Sequence, residues 1–170
     1  MMVNTVLEEL NQMTYQGNIE VIKKLIIEAP TIFLSGKGRS GLMISAFANR
    51  LLHIDKQVHL IGEITTVHTT PGDLFIACSG SGESQAIVDQ AKQAKQEGLD
   101  LVVITQSPNS SLAQLADELV VIKKLEDTQQ PMGSFFEQSV LLFGDSLILT
   151  LMKQLDETSN SMAARHADIE

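Results

Sequence analysis

Pro30-Thr-Ile-Phe-Leu-Ser-Gly-Lys-Gly-Arg-Ser-Gly-Leu42 sets a short apolar run directly against a glycine-rich turn. Pro30 ends whatever precedes it, the run 31–35 has the length and composition of a buried strand, and the glycines open a helix from about Arg39 to His53. The same grammar recurs downstream. Gly72-Asp-Leu-Phe-Ile-Ala-Cys78 is again an apolar run, followed by Ser79-Gly-Ser-Gly-Glu-Ser84 and a helical segment closed by Gly98. Further runs at 57–62, 101–105 and 118–122, with helical pattern at 83–96 and a short helix near 111–116, predict strands alternating with helices. Apolar runs of five or six residues separated by helices imply a parallel sheet covered on both faces, an α/β doubly wound domain in three layers.

Outside that core, Val3, Val6, Leu7, Leu10 and Met13, then Ile19, Val21, Ile22, Leu25 and Ile26, recur at helical intervals, predicting a helix over 3–28 with a break near Gly17-Asn18. The sheet core spans 31–123. A final helix over 133–155 carries Phe135, Phe136, Val140, Leu141, Leu142, Phe143, Leu147, Ile148, Leu149, Leu151 and Met152 around nearly its whole circumference. Such a helix needs burial on every side, which predicts that it packs, with the N-terminal helix, against another subunit; the alternative is a central helix buried within the monomer. The polar tail 156–170 is expected to be loose. All 170 residues are read as one domain.

Composition excludes several classes. Apolar residues at 44% and charged residues at 19% support a packed core rather than disorder. A net charge of −9 repels nucleic acid and anionic lipid as principal partners. The single Cys78 rules out an intrachain disulfide and a cysteine metal cluster, in keeping with a reducing cytoplasm. No run of about 18 uninterrupted apolar residues predicts a membrane span. The spacing of His53, His59, His68 and His166 matches no zinc signature, so no metal is expected.

In open α/β sheets the ligand lies beyond the carboxyl ends of the strands, which directs attention to the two glycine-serine loops. Glycine brings backbone N–H groups close to a ligand, and the helix start behind each loop favours an anion. Hydroxyls at Ser40, Ser79, Ser81 and Ser84 add donors suited to a phosphate monoester. The competing reading is that these serines only cap helices. A second competitor is dinucleotide binding: Gly36, Gly38 and Gly41 satisfy G-x-G-x-x-G, and Glu63 closes the second strand where a ribose-binding acid belongs. Against it stand Arg39, bulky where pyrophosphate must approach, and a second hydroxyl-rich loop that dinucleotide binding does not use.

Gly36-x-Gly-Arg-Ser-Gly41, Arg50-Leu-Leu-His53, Gly62-Glu-x-Thr-Thr66, Gly72-Asp-Leu74, Ser79-Gly-Ser-Gly-Glu-Ser84, Pro131-Met-Gly-Ser-Phe-Phe-Glu137 and Arg165-His-Ala167 together resemble the 6-phospho-3-hexuloisomerases, single-domain members of the sugar isomerase (SIS) superfamily. The resemblance runs over nearly the whole chain in order and spacing. Lys37, where a small residue is commoner, and Val67, in place of a frequent proline, depart from it. It implies a five-stranded parallel sheet flanked by helices, a homotetramer or at least a homodimer, and a cytoplasmic enzyme. The implied reaction interconverts D-arabino-hex-3-ulose 6-phosphate and fructose 6-phosphate without cofactor or metal. Isomerisation of another sugar phosphate, or sensing of one without catalysis, are the alternatives.

Moving a ketone from C3 to C2 through an enediol requires a base, a proton shuttle and a phosphate anchor. A carboxylate in an apolar pocket becomes a better base, because desolvation disfavours its charged form. Glu137, flanked by Phe135 and Phe136, is the candidate base. The alternative is a solvated acid serving the helix dipole. The resemblance adds His53 as a proton shuttle and His166 as a residue reaching a neighbouring subunit's site. Gly38, Arg39, Ser40, Glu63, Ser79, Ser81 and Ser84 are the expected substrate contacts. Arg39 either neutralises phosphate or carbonyl charge, or is a surface arginine paired with a carboxylate.

Overall fold

The computed structural model describes residues 2–168. In chain order it comprises α1 (Met2–Leu10), β1 (Tyr15–Gln16), α2 (Ile19–Glu28), β2 (Ile32–Gly36), α3 (Gly38–His53), β3 (Val58–Leu60) and β4 (Leu74–Cys78). Then follow α4 (Gln85–Gln96), β5 (Asp100–Thr105), a 3-10 turn (Ala113–Leu115), β6 (Glu118–Ile122), α5 (Ser134–Gln154) and α6 (Ser159–Ala163). The sheet order is β1-β6-β5-β4-β2-β3, with β2 to β6 mutually parallel. The five expected parallel strands are present. A sixth, β1, lies in the break expected near Gly17 and pairs antiparallel with β6, Tyr15 opposite Ile122.

Alternate residues of each strand serve opposite layers, as the period of two requires. Ile32, Leu34 and Ile76 join Ile22, Ile44, Phe47, Leu51 and Phe143 in the core under α2, α3 and α5. Phe33, Phe75, Ala77, Leu101 and Val103 join Ile87, Val88 and Ala91 under α4. Cys78 closes β4 with no exposed surface, and desolvation pushes its thiol far above the ordinary range. The Asn18 side chain accepts the Val21 N–H at 3.3 Å to start α2, and Pro30 follows its end.

The long helix α5 packs along α3 with Gly144 against Phe47: a Cβ at 144 would lie 3.1 Å from that ring. By length and composition α5 could cross a membrane, yet half of it is buried inside this domain. The burial is not complete. Phe136, Val140, Phe143, Leu147 and Leu151 are buried, while Leu142 (43%) and Leu149 (62%) remain exposed, and neighbouring α3 exposes Leu42 and Leu52.

The polar tail, expected to be loose without a surface to pack on, finds one in this chain. Thr158 and Ser161 form a reciprocal capping box that starts α6. Arg165 then ties the segment down, donating to the His53 carbonyl oxygen at 2.9 Å and to Glu157 at 2.9 Å. Its guanidinium, with help from the Ser161 hydroxyl, holds the Glu157 carboxyl below the usual range. Residues 169–170 of that expected tail, and residue 1 of the expected single domain, lie outside the described residues.

Candidate active site

The chain runs from β2 through α3 to β3 on one side, and from β4 through α4 to β5 on the other. The adjacent strands β2 and β4 therefore flank the point where the winding reverses, and their carboxyl-end loops splay apart to leave a crevice. Those loops are 36–41 and 79–84, so topology brings the two glycine-serine motifs together.

Close approach shapes the first loop. A Cβ on Gly41 would sit 2.8 Å from the Gly36 carbonyl oxygen, so only glycine lets the turn fold back on itself. Gly38 has φ +56 with open space around it. Lys37 caps α3 without a side-chain hydrogen bond, so the first-turn N–H groups beyond it have no side-chain cap from that residue.

The second loop is braced from inside. The Ser79 hydroxyl accepts the Gly82 N–H at 3.1 Å, and Thr105 donates its hydroxyl to the Gly80 carbonyl at 3.2 Å. Ser79, 7% exposed, thus braces the loop from inside and does not cap a helix. Ser81 is exposed and its oxygen accepts the Glu83 N–H at 3.2 Å. Ser84 precedes α4 with no side-chain cap bond. Glu83 is turned away to Ser111, whose backbone N–H and hydroxyl, both 2.8 Å, hold its carboxyl below the usual range.

Ser81 and Glu83 share an open crevice of ≈ 430 Å³ with Gln106, Ser107, Pro108, Asn109 and Ser110. The sequence reading missed this wall from the loop after β5. Its signal was present, since Gln106-Ser-Pro-Asn-Ser110 is a dense cluster of turn residues at a strand's carboxyl end.

Phe136 docks α5 onto this framework. Its ring lies where a Cβ on Gly80 would come within 3.1 Å. One residue on, the Glu137 side chain is only 13% exposed and accepts the Arg39 Nε–H at 2.5 Å, across 98 residues of sequence. Glu137 therefore faces the first loop, flanked by buried aromatics, and its carboxylate meets a cation rather than apolar side chains alone. Arg39 is paired with a carboxylate as one alternative held, and the partner is the candidate base itself.

The remaining candidates lie elsewhere in the subunit. His53 ends α3, and with Gly38 at its start the helix puts about 22 Å between them at 1.5 Å per residue. It is buried and stacks on His166, ring centroids 5.4 Å apart at 24°. The two histidines share a cavity of ≈ 270 Å³ with Arg50, Ser159, Met162 and Ala163. Glu63 lines a separate groove along α3 with Ser45, Asn49 and Leu52. In one chain, then, Arg39, Glu137 and the two loops converge, whereas His53 and His166 pair at the opposite end and Glu63 stands on the flank.

Two glycine-serine loops at the winding reversal of a doubly wound sheet define a class, and the chain belongs to the SIS domain family, which its residues 25–144 match. Among its relatives, the 3-hexulose-6-phosphate isomerase of Bacillus subtilis (strain 168) is 38% identical over 179 residues, covering 99% of this chain and 97% of that protein. The 3-hexulose-6-phosphate isomerase of Methylomonas aminofaciens is 37% identical over 92% of this chain and 90% of its own. The crystal structure of a hypothetical protein from Methanococcus jannaschii, from which a molecular function of 3-hexulose-6-phosphate isomerase was inferred, superposes with a TM-score of 0.82. It is 32% identical over 89% of this chain and 85% of that one.

Proposed function

We propose that this chain is a 3-hexulose-6-phosphate isomerase, interconverting D-arabino-hex-3-ulose 6-phosphate and fructose 6-phosphate in the cytoplasm with no cofactor or metal. The observation that carries the reading is a nearly buried carboxylate, Glu137, held against Arg39 of the first glycine-serine loop while the neighbouring Phe136 packs on Gly80 of the second, in a chain whose full-length relatives are named for that activity.

Substrate phosphate sits against the N–H groups of the two loops, with the hydroxyls of Ser40, Ser81 and Ser84 as donors and Gly38 keeping the approach open. Glu137 removes the proton at C2 of the 3-ulose. The electron pair forms the C2=C3 double bond and the carbonyl oxygen at C3 takes a proton, giving the enediol. The C2 hydroxyl then gives up its proton, and C3 receives one from Glu137 to complete fructose 6-phosphate. Arg39, already against the carboxylate, balances the negative charge that passes from Glu137 to the enediolate oxygen. His53 and His166 carry the protons between oxygens from a neighbouring subunit, since they lie too far from Glu137 of their own chain. Glu63 contributes to sugar hydroxyl recognition across the same interface. The whole chain works as a single domain within a homotetramer, and the exposed Leu142 and Leu149 of α5 are the natural place for subunits to meet.

Incubation with fructose 6-phosphate in heavy water tests this. Deuterium enters at C3, and at C2 of the 3-ulose, without added cofactor and in the presence of EDTA. Glu137→Gln removes the exchange by at least about a hundredfold, the worth of a general base, while phosphate affinity persists. Full exchange in Glu137→Gln refutes the base. Binding without exchange in the wild type makes the chain a sugar-phosphate sensor instead.

A further inference from the structure

The segment from Lys123 to Gly133 joins β6 to α5 and so determines where the first turns of α5, with Glu137, are placed. Little packing holds it: Glu126, Asp127, Thr128 and Gln129 are exposed, and Met132 is fully so. What it touches is Glu9, on the otherwise solvent-facing end of α1. Glu9 is 6% exposed, next to the exposed Leu7 and Glu8, because this strap folds over its carboxylate. One oxygen accepts the Gln129 backbone N–H at 2.7 Å, and the other accepts the Thr128 hydroxyl at 2.7 Å and the Gln130 side-chain amide at 2.9 Å. A chain of bonds continues to the base. Ser134 donates both its N–H and its hydroxyl to the Pro131 carbonyl, at 3.2 and 2.9 Å, and Glu137 N–H bonds the Gly133 carbonyl at 3.1 Å.

Resting on the reading of Glu137 as the base, we infer that Glu9 is a positioning residue. Its carboxylate latches the 124–133 strap and thereby fixes the α5 entry that aims Glu137 at the crevice. Three donors converge on one carboxylate from consecutive residues, and removing the acceptor strands all three at once. Because the strap has almost no apolar anchor, its geometry follows the latch rather than the core.

The test uses the full-length protein. Glu9→Gln keeps the volume but turns an amide NH2 toward a donor. The expected result is faster amide hydrogen exchange across 128–134, unchanged exchange in β4 and β5, and a kcat ten- to a hundredfold lower, about what an ångström of misplacement costs. KM for fructose 6-phosphate stays within about twofold, because the loops that hold phosphate are untouched. Glu9→Asp restores part of kcat, and Thr128→Ala, which removes one donor, gives a smaller loss in the same direction. Wild-type kcat in a Glu9→Gln protein whose strap has lost protection overturns the positioning role. Unchanged protection overturns the latch itself. If Glu137→Gln keeps full turnover, the base assignment has failed, and strap exchange in Glu9→Gln still decides whether the latch exists.

Discussion

Two glycines with the same backbone hand carry different burdens. Gly82 has φ +66, and a Cβ there would lie 2.0 Å from the Ser110 hydroxyl oxygen, whereas Gly38 has φ +56 and nothing within 4 Å. Gly38→Ala is therefore expected to cost only the left-handed penalty of about 1–2 kcal/mol. Gly82→Ala adds a clash that must displace the loop after β5, so its loss in a urea titration exceeds that of Gly38→Ala by more than about 1 kcal/mol. Equal losses would show that the loop yields freely. Arg39 invites the sharper test of chemistry. Arg39→Lys retains charge but not the planar fork, and is expected to lower kcat about tenfold through a less well held Glu137. The glycine-serine loops could be read from sequence as a candidate anion site because their chemistry is local. Arg39 meeting Glu137 across 98 residues, and Glu9 meeting the strap across 119 to 121, left no periodic trace in the sequence.

Among the elements, α5 is the one on which both layers of meaning converge, since it closes the core and delivers Glu137. Phe143 is 2% exposed, sits within the larger core and touches the edge of Tyr15, centroids 5.0 Å apart. Phe143→Ala is expected to destabilise by about 3–5 kcal/mol in denaturant unfolding. A loss below about 1 kcal/mol would mean the core collapses around the gap. The five parallel strands were legible because each is a continuous apolar run, the mark of burial on both faces. β1 was not, because Tyr15 and Gln16 are both exposed and too few to make a pattern. α6 escaped for a related reason: five residues with none buried give no periodicity, and the Thr158–Ser161 box uses serine where glutamate is the familiar sign.

At the scale of the molecule, the proposed function, with Glu137 apart from the His53–His166 pair in one chain, predicts that assembly and turnover go together. Leu149→Glu is expected to shift sedimentation toward the monomer and to abolish exchange together. Mixing inactive Glu137→Gln with inactive His166→Ala protein should restore part of the activity, and failure of mixed assemblies to do so would confine the site to one chain. Acid should unfold the chain in a defined window. Glu9, Glu83 and Glu157 all have folded values below the unfolded 4.5, so their contribution is complete above that pH and is lost as pH falls through the lower values. The urea midpoint should hold steady from neutrality and decline only below about 4.5, and Glu157→Gln should blunt the decline. The chain's single thiol, sealed within β4 with its proton held tightly, has a practical corollary. Maleimide dyes pass the native protein by, so Met132→Cys accepts one fluorophore on the strap with no background, and the emission reports that segment's motion while the substrate turns over.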